Sequence, residues 1–461
     1  MLEGLEISEV KFLTACELSK DGRIDSNFYQ RRFVKMRLKA KDWLPLKSVS
    51  KAVECGPFGS NLLNTNYVDA GIPMIRPFNL RKCRSDDGEI ALLSEQFLDD
   101  TSLSTFGKDT VFFARVGEIG VGANVFEKAT ISPNIIAATV PDEAYAKCIS
   151  IFAATTYGSV QLEAEVKAVA QPTISTDTVR EFKVPGFSKC FRQEISETYS
   201  KAEEYLKSAS QLTRTAEQTL LTALGLEDWQ PPNPLTYESP ASTAFTSNRL
   251  DAEFFRPKIK ELYSILNSEA KVLSHVVSLR KERFKKKCDA FNYLEIGSVT
   301  QDGVVEEAHL LMKDAPSRAT WLVEKDDVVT STVRPIRGLT AIIQESQHGA
   351  VASSGFAVLK PDKISPELLM TYLKLPVICE LMDLHTSASM YPSISVEDIL
   401  ASPFKHPGSQ TEEKIIRQVR ESRTARQKSK LLLERAKRAV EMAIEEDEVS
   451  ALAYLGSNPT E

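Results

Sequence analysis

Two stretches of the chain carry apolar side chains every three or four residues, with charged residues at most of the other positions. The spacing predicts long helices at 192–224 and at 410 to about 448. A seam sustained over four or five heptads is typical of a coiled coil. At 1.5 Å per residue, the first of these helices is roughly 50 Å long. The predicted seam residues are Ile195, Tyr199, Ala202, Leu206, Ala209, Ile415, Val419, Ser422, Leu433, Ala436 and Val440.

Shorter segments rich in β-branched and aromatic residues predict strands, separated by turn residues. A helix is also predicted at 25–41. This alternation favours mixed α/β domains. The predicted strands fall at 71–76, 110–116, 123–126, 134–140, 325–333 and 340–343.

The chain repeats itself. Residues 23–29 return as 249–255, and residues 170–175 return as 390–395, at offsets of 226 and 220. A period this long indicates two domains of one kind and not a solenoid. We therefore expect approximate internal twofold symmetry, which suits a target with two half-sites.

The composition is that of an ordinary globular protein. The 461 residues are 42% hydrophobic and 26% charged, which leaves room for two to four domains. No apolar run approaches the roughly 20 residues that span a bilayer, and Met1–Glu6 lack the features of a signal peptide. The seven scattered cysteines favour a reducing compartment. These features predict a cytoplasmic protein.

The net charge is −6, which counts against a free-standing nucleic-acid binder. The charge is unevenly placed, however. Residues 280–287 hold six basic side chains, while 441–448 hold five acidic ones. Because screening confines a field to about 10 Å, basic patches on an acidic protein still attract phosphate locally.

Several segments, in this order and with the duplication, resemble the specificity (S) subunits of Type I restriction–modification systems. Together with the two long helices, they extend the resemblance over nearly the whole chain. The second copy departs from the pattern: it lacks the Gly-Pro-Phe-Gly-Ser stretch, and Tyr391 stands where Gln171 does. The segments are 56–60, 71–77, 112–120 and 171–175.

The resemblance implies an α+β fold in which two similar α/β target-recognition domains are separated by two long antiparallel helices, with pseudo-twofold symmetry. It implies double-stranded DNA as the target, two methyltransferase subunits and an endonuclease/translocase subunit as partners, and association with the nucleoid. The expected segments are a first recognition domain (1–190), a spacer helix (191–226), a Pro-rich linker (227–248), a second recognition domain (249–408), a second spacer helix (409–449) and a flexible tail (450–461).

Basic residues at turns and strand ends are the candidates for DNA contact, because arginine pairs with guanine and lysine with phosphate. The glycine-flanked loop at 56–61 adds Ser60 and Asn61 as candidate donors to phosphate. Any one of these residues also fits an ordinary solvated surface or a structural turn. The candidates are Ser60, Asn61, Arg76, Arg81, Lys82, Arg84, Arg115, Arg283, Lys285, Lys286, Lys287, Arg318, Arg334 and Arg337.

No catalytic motif stands out in the sequence. There is no Asn-Pro-Pro-Tyr-type tetrapeptide for amino-methyl transfer and no phosphate-binding loop, since the Gly-rich segment 117–122 lacks the required Lys. That segment is predicted to be a turn between strands. Asp25 and Asp251 are predicted to be helix N-caps. We expect a non-catalytic protein without a cofactor or metal. Two alternatives remain: a duplicated protein-interaction scaffold, and the recognition subunit of a related phage-defence system.

Overall fold

The described residues fold into short strands, short helices and two long helices. Among the residues that the structure describes, no helix combines the length and the apolar character needed to cross a membrane. A computed structural model describes residues 28–57, 66–81, 83–85, 90–101, 103–117, 119–166, 173–247, 249–266, 271–285, 288–300, 303–387 and 390–457.

The first half of the described chain alternates strands and helices. Its strands are β1 (Leu44–Pro45), β2 (Ala52–Cys55), β3 (Tyr67–Val68), β4 (Ile72–Ile75), β5 (Leu80–Arg81), β6 (Cys83–Ser85), β7 (Ala91–Leu93), β8 (Thr110–Ala114), β9 (Val121–Ala123), β10 (Thr130–Ile131), β11 (Ile135–Thr139) and β12 (Lys183–Val184). Its helices are α1 (Arg31–Lys39), α2 (Leu46–Val49), α3 (Glu95–Thr101), α4 (Glu143–Ala153), α5 (Thr156–Glu165), α6 (Thr176–Glu181) and the long α7 (Lys189–Leu224).

The second half follows a similar order and ends in the second long helix. Its strands are β13 (Val277–Leu279), β14 (Ala290–Leu294), β15 (Ala308–Leu311), β16 (Ala319–Leu322), β17 (Val328–Ser331), β18 (Thr340–Ile342), β19 (Val351–Ser353) and β20 (Phe356–Pro361). Its helices are α8 (Ala241–Ser247), α9 (Pro257–Leu266), α10 (Pro366–Lys374), α11 (Pro376–Asp383), α12 (Val396–Ala401), the long α13 (Ser409–Glu445) and α14 (Glu448–Gly456).

Contacts divide the chain into two compact units. Unit 1 comprises Met1–Tyr205 and Gln427–Glu461, and unit 2 comprises Leu206–Arg426. Each long helix therefore contributes one part to each unit. The units differ from the predicted domains 1–190 and 249–408, which exclude the helices. The reason is that apolar residues of both helices join the hydrophobic core of each unit.

The larger sheet of unit 1 has the strand order β2-β11-β8-β9-β6-β5. Its middle strands β8 and β11 are continuous apolar runs, as expected for strands that are buried on both faces. Phe113 and Ile136 belong to one hydrophobic cluster, while Phe112 and Ala137 belong to another. Alternate side chains of these two strands therefore pack into two different hydrophobic clusters. A second sheet has the order β10-β4-β7-β3, with β4 and β10 parallel.

Unit 1 also contains the two-stranded pair β1-β12, and the described residues of unit 2 form two four-stranded sheets. One has the order β13-β20-β17-β18 with antiparallel pairs throughout, and the other has the order β15-β14-β19-β16 with β14 and β19 parallel. Unit 1 pairs β2, β11, β8 and β9 as unit 2 pairs β13, β20, β17 and β18. The predicted duplication is thus confirmed at the level of strand pairing: the same scaffold is built twice.

Within each unit, the portions of α7 and α13 run antiparallel. In unit 1, the Lys428 Nζ lies 5.4 Å from the centroid of the Tyr205 ring, and the Ser188 amide donates to Glu448 at the other end. In unit 2, the Ser422 hydroxyl donates to the Ala209 carbonyl at 2.8 Å, and Lys405 donates to the carbonyl at the C-terminal end of α7. Of the predicted seam residues, Leu206 and Leu433 are half-buried, and the buried ones are Ile195, Tyr199, Ala202, Ala209, Ile415, Val419, Ser422, Ala436 and Val440.

Two local predictions are wrong. The predicted flexible tail contains helix α14, because Asp447 caps it through the Ser450 amide and Ala451 is fully buried. The linker predicted at 227–248 stays a prediction, and it includes the short helix α8, none of whose residues is buried. The strand predicted at 123–126 ends at Ala123, because the Asn124 side chain donates to the carbonyls of Phe106 and Gly107 and turns the chain.

Two predictions about single residues have different outcomes. Asp251 is confirmed as an N-cap, since its carboxylate accepts from the Phe254 amide. The hydrogen bond from Arg249 also lowers the pKa of Asp251 below its ordinary value. Asp25 lies outside the described residues.

Candidate nucleic-acid interface

In unit 1, two arginines follow directly after buried strands. Arg115 comes after β8, and its amide donates to the Asn134 carbonyl at 2.8 Å. Arg76 comes after β4, whose last residue, Ile75, accepts from the Ser132 amide at 2.9 Å. Because Ser132 and Asn134 lie two residues apart, the carboxyl ends of β4 and β8 meet at one edge. The Arg115 side chain is exposed at this edge, with its Nη1 3.6 Å from the Cys55 Sγ.

Arg76 is held in a defined position. Its amide donates to the Asn79 Oδ1 at 3.0 Å, which fixes a short 3-10 helix at Pro77–Asn79. Its guanidinium carbon lies 4.3 Å from the centroid of the Phe78 ring, which is 44% exposed. Stacking on an aromatic face restricts the arginine while its donors remain in the plane of the guanidinium.

A cavity of about 240 Å³ adjoins this pair. Gly56 lies beside it, where a Cβ atom would come within 2.0 Å of the Ser132 carbonyl oxygen, so only glycine fits. The Ser132 hydroxyl is buried and has no hydrogen-bond partner among the described residues. The cavity thus combines aromatic walls with polar groups, lined by Tyr67, Met74, Arg76, Pro77, Phe78, Ser132, Pro133 and Asn134.

Unit 2 builds the same edge with the same backbone contacts. The Thr332 amide donates to the Gly355 carbonyl at 2.9 Å, as the Arg115 amide does to Asn134 in unit 1. Val333 bridges Ser393 as Val116 bridges Thr173. The two edges are therefore equivalent parts of the repeated scaffold.

Arg334 has an unusual backbone at this edge. Its φ of 52° and ψ of 60° place it in the left-handed region, which costs a residue other than glycine roughly 1–2 kcal/mol. Its side chain is exposed, lies 5.4 Å from the centroid of the Tyr391 ring and donates to the Met390 carbonyl at 3.3 Å. Tyr391 and Met390 are 64% and 75% exposed. Backbone strain of this kind clusters at ligand-binding and switch regions of proteins.

The described part of the basic run of unit 2 contacts strand β16 through an isolated bridge between Arg283 and Trp321. The Phe284 amide donates to the Thr320 carbonyl at 2.9 Å, so this segment runs beside β16. Arg283 lies over the ring of Trp321 at 5.4 Å. Arg318, just before β16, accepts at its carbonyl from the Ser354 amide, next to Gly355. The basic run and the Arg334 edge are therefore joined through β16 and the turn at 354–355.

The structure locates some of the predicted DNA-contacting residues and not others. Arg76 is half-buried, and the exposed ones are Arg115, Arg283, Lys285, Arg318, Arg334 and Arg337. Arg81 and Arg84 lie in the β5–β6 hairpin, where only the backbone is described. The predicted residues outside the described part are Ser60, Asn61, Lys82, Lys286 and Lys287.

Sequence reasoning missed the aromatic partners Phe78, Trp321 and Tyr391. A signal existed for Tyr391, because it replaces Gln171 inside a motif that is otherwise repeated. The Gly-rich segment after β8 is predicted to be a turn between strands; Gly117 has a φ of 85°, while Val121 and Gly122 already belong to β9. In the part of the chain that the structure describes, no group of three or more His, Cys, Asp or Glu side chains is arranged to hold a metal.

No family model and no curated protein matches this chain. Three solved structures are similar to it. The S subunit of a Type I restriction–modification system from M. genitalium is 14% identical, with 91% of this chain and 97% of that chain covered and a TM-score of 0.36. A structure concerned with assembly of the type I R-M system is 13% identical, with coverages of 88% and 97% and a TM-score of 0.29.

The third is the HsdS subunit from Thermoanaerobacter tengcongensis, which is 12% identical, with coverages of 88% and 96% and a TM-score of 0.28. The first two of these structures come from Type I restriction–modification systems. Because the TM-scores are below 0.5, the role of each residue rests on the contacts of this chain alone.

Proposed function

We propose that this chain is the non-catalytic, DNA-recognizing scaffold subunit of a Type I restriction–modification complex. Each unit reads one half of a bipartite duplex target. Two methyltransferase subunits and an endonuclease/translocase subunit supply the chemistry. The observation that carries the proposal is that equivalent edges of the two units both expose arginines, such as Arg115 and Arg334, beside buried strands.

The chemistry of these edges fits duplex DNA. An arginine pairs with the O6 and N7 of guanine through two hydrogen bonds, which is the commonest base-specific contact. Arg283, Lys285 and Arg318 add positive charge near the same edge of unit 2 and suit phosphate contacts. The overall charge of −6 does not oppose this, because screening makes the local patch decisive.

The long helices suit a scaffold that recruits partners. Their apolar residues are used within the two units, and charged residues remain on the outer faces. We propose that the methyltransferase subunits bind to these faces and that helix length sets the distance between the half-sites.

Selection from a random duplex library tests recognition directly. The complete chain, purified together with its methyltransferase partners, should enrich two short blocks of defined sequence separated by a spacer of fixed length. Enrichment of a single block, or of none, contradicts the proposal.

A paired deletion tests whether the helices set the spacer. Removing 206–212 and 419–425 together takes one heptad from each helix around the Ala209–Ser422 contact. Seven residues span about 10.5 Å. The selected spacer should therefore shorten by about 3 base pairs, at 3.4 Å each. Ser422→Ala, which leaves the helix length unchanged, is the control and should keep the spacer.

A second candidate is a protein-interaction scaffold without direct DNA binding. The acidic net charge of −6 favours it. The library selection separates the two, because a protein scaffold enriches no DNA sequence at any salt concentration. In a related phage-defence system, the bipartite enrichment would persist with different catalytic partners.

A further inference from the structure

At two corresponding positions of the repeated scaffold, the units carry different residue types, and the arginine lies at one position in unit 1 and at the other in unit 2. The first is the residue that precedes a 3-10 helix after β4 and after β14. In unit 1, the Asn79 amide donates to the Arg76 backbone carbonyl; in unit 2, the Ser298 amide donates to the Glu295 backbone carbonyl in the same way. Strand β4 is parallel to β10 as β14 is to β19, so the two positions correspond. Arginine in one unit is thus replaced by an exposed glutamate in the other.

The aromatic partner changes with it. Phe78, the second residue of the 3-10 helix in unit 1, corresponds to Gly297 in unit 2. Unit 2 therefore lacks both halves of the arginine–aromatic pair at this position.

The second position shows the reverse exchange. The residue after the Val116–Thr173 bridge is Gly117, with a φ of 85°, while the residue after the Val333–Ser393 bridge is Arg334, with a φ of 52°. Both units adopt a left-handed backbone at this position, but only unit 2 places a long side chain there. Its partner Tyr391 corresponds to Gln171 in the sequence.

Space does not explain the glycine in unit 1. A Cβ atom at Gly117 would meet no described atom within 4 Å. The left-handed backbone alone favours glycine there, and unit 2 accepts that strain in order to hold an arginine.

We infer that the two units hold their base-reading arginine at non-equivalent positions: Arg76 stacked on Phe78 in unit 1, and Arg334 beside Tyr391 in unit 2. This inference rests on the proposed function. Each pair presents a guanidinium to a guanine edge in one half-site, and each aromatic ring restricts its arginine to that orientation. The half-sites are thus read from two different places on one scaffold, which allows them to differ in sequence.

The test is methylome sequencing of the host with the chromosomal gene intact, deleted, or carrying Arg76→Ala, Phe78→Ala, Arg334→Ala or Tyr391→Ala. The controls are Arg32→Ala and Arg256→Ala, which remove an exposed and a partly exposed arginine paired with Glu163 and Glu253 elsewhere in unit 1 and unit 2. Melting curves of each purified variant complex verify that the fold is retained.

Arg76→Ala and Phe78→Ala should relax one base position in one half-site, and Arg334→Ala and Tyr391→Ala one position in the other. Loss of one bidentate base contact lowers discrimination roughly 5- to 150-fold. Arg334→Lys should relax the same position as Arg334→Ala, because lysine keeps the charge without the planar fork. The controls should leave both half-sites unchanged.

The outcomes separate the two claims. If the gene governs a bipartite motif but Arg76→Ala and Arg334→Ala relax the same half-site or neither, or if Arg334→Lys retains full discrimination, the inference is overturned and the proposed function stands. If deletion of the gene changes no methylation motif, the proposed function fails, and the inference fails with it.

Discussion

The two units share their strand pairing but differ in how they use polar groups. In unit 1, the first residue of β8, Thr110, faces Thr139 with a hydroxyl–hydroxyl distance of 3.3 Å. The corresponding residue before β17 in unit 2 is Asp327, which is 1% exposed and receives two hydrogen bonds from Arg280 at 2.5 and 3.1 Å. The scaffold therefore tolerates either a neutral pair or an ion pair at the same place.

This difference explains why not every basic residue of the run at 280–287 is free for DNA. Arg280 is committed to Asp327 and Glu324, with its side chain 11% exposed. Arg283 and Lys285 are exposed. Within one charged run, some residues thus stabilise the core and others remain at the surface.

The largest expected effect is the loss of the buried ion pair. Asp327→Ala should lower the free energy of unfolding of unit 2 by about 3 kcal/mol, because it leaves the Arg280 guanidinium without its main partner. Thr110→Val in unit 1 should cost only about 1 kcal/mol. Denaturant unfolding of the full chain measures both. Equal losses would show that the two sites are not energetically different.

The left-handed position should give effects of opposite sign in the two units. Arg334→Gly should raise the free energy of unfolding by about 1 kcal/mol, because glycine adopts a φ of 52° without strain. Gly117→Ala should lower it by about 1 kcal/mol. Thermal melting of both variants is the measurement. Destabilization by Arg334→Gly would indicate that the contacts of Arg334 outweigh its strain.

Buried hydrogen bonds of the two long helices should give stability losses of similar size in the two units. In unit 1, the buried Tyr199 hydroxyl donates to the Cys83 carbonyl at 2.9 Å; in unit 2, the buried Ser422 bonds Ala209 and Thr213. Tyr199→Phe and Ser422→Ala should each cost about 1 kcal/mol, the usual net value of a buried hydrogen bond. A chemical-denaturation series on both variants tests this, and no loss in either would mean that water replaces the bond.

The smallest effect concerns pH, and only unit 2 contains histidines. Burial lowers the pKa of His385, whose imidazole lies 3.0 Å from the Tyr263 hydroxyl. Because the folded state disfavours the protonated imidazole, His385 does not oppose folding above its ordinary pKa of about 6.5. As the pH falls below that value, the unfolded state gains protons more readily and the free energy of unfolding decreases.

His385→Phe should therefore reduce the difference in unfolding free energy between pH 7.5 and pH 5.5, by less than about 1 kcal/mol because the ring is only partly buried. His348→Phe, at a site where the ring Nδ1 accepts from the Lys325 amide at the surface, is the control. An unchanged pH dependence of the unfolding free energy in His385→Phe would contradict the assignment of this effect to His385.

The sequence predicts the long helices and the duplication well, because both depend on spacing over many residues. The strands at 110–116 and 134–140 are also found, as β8 and β11, since unbroken apolar runs carry a strong local signal. Helix α14 escapes prediction because its apolar stretch, 451–455, is short and follows a densely acidic segment.

The candidate site is predictable only in part. Arg76, Arg115 and Arg334 stand out as arginines at strand ends. The pairing of Arg334 with Tyr391 does not, because it joins residues 57 positions apart and depends on the left-handed turn. The correspondence of Arg76 with Glu295 likewise requires the strand pairing to be known, since the loops between the repeats differ in length.

The central claim is that this chain determines which DNA sequence its complex acts on. Single-molecule methylome sequencing of the host with and without the gene tests it most directly. The account predicts one bipartite motif, with a fixed spacer, that is methylated only when the gene is present. An identical set of methylated motifs in both strains would contradict it.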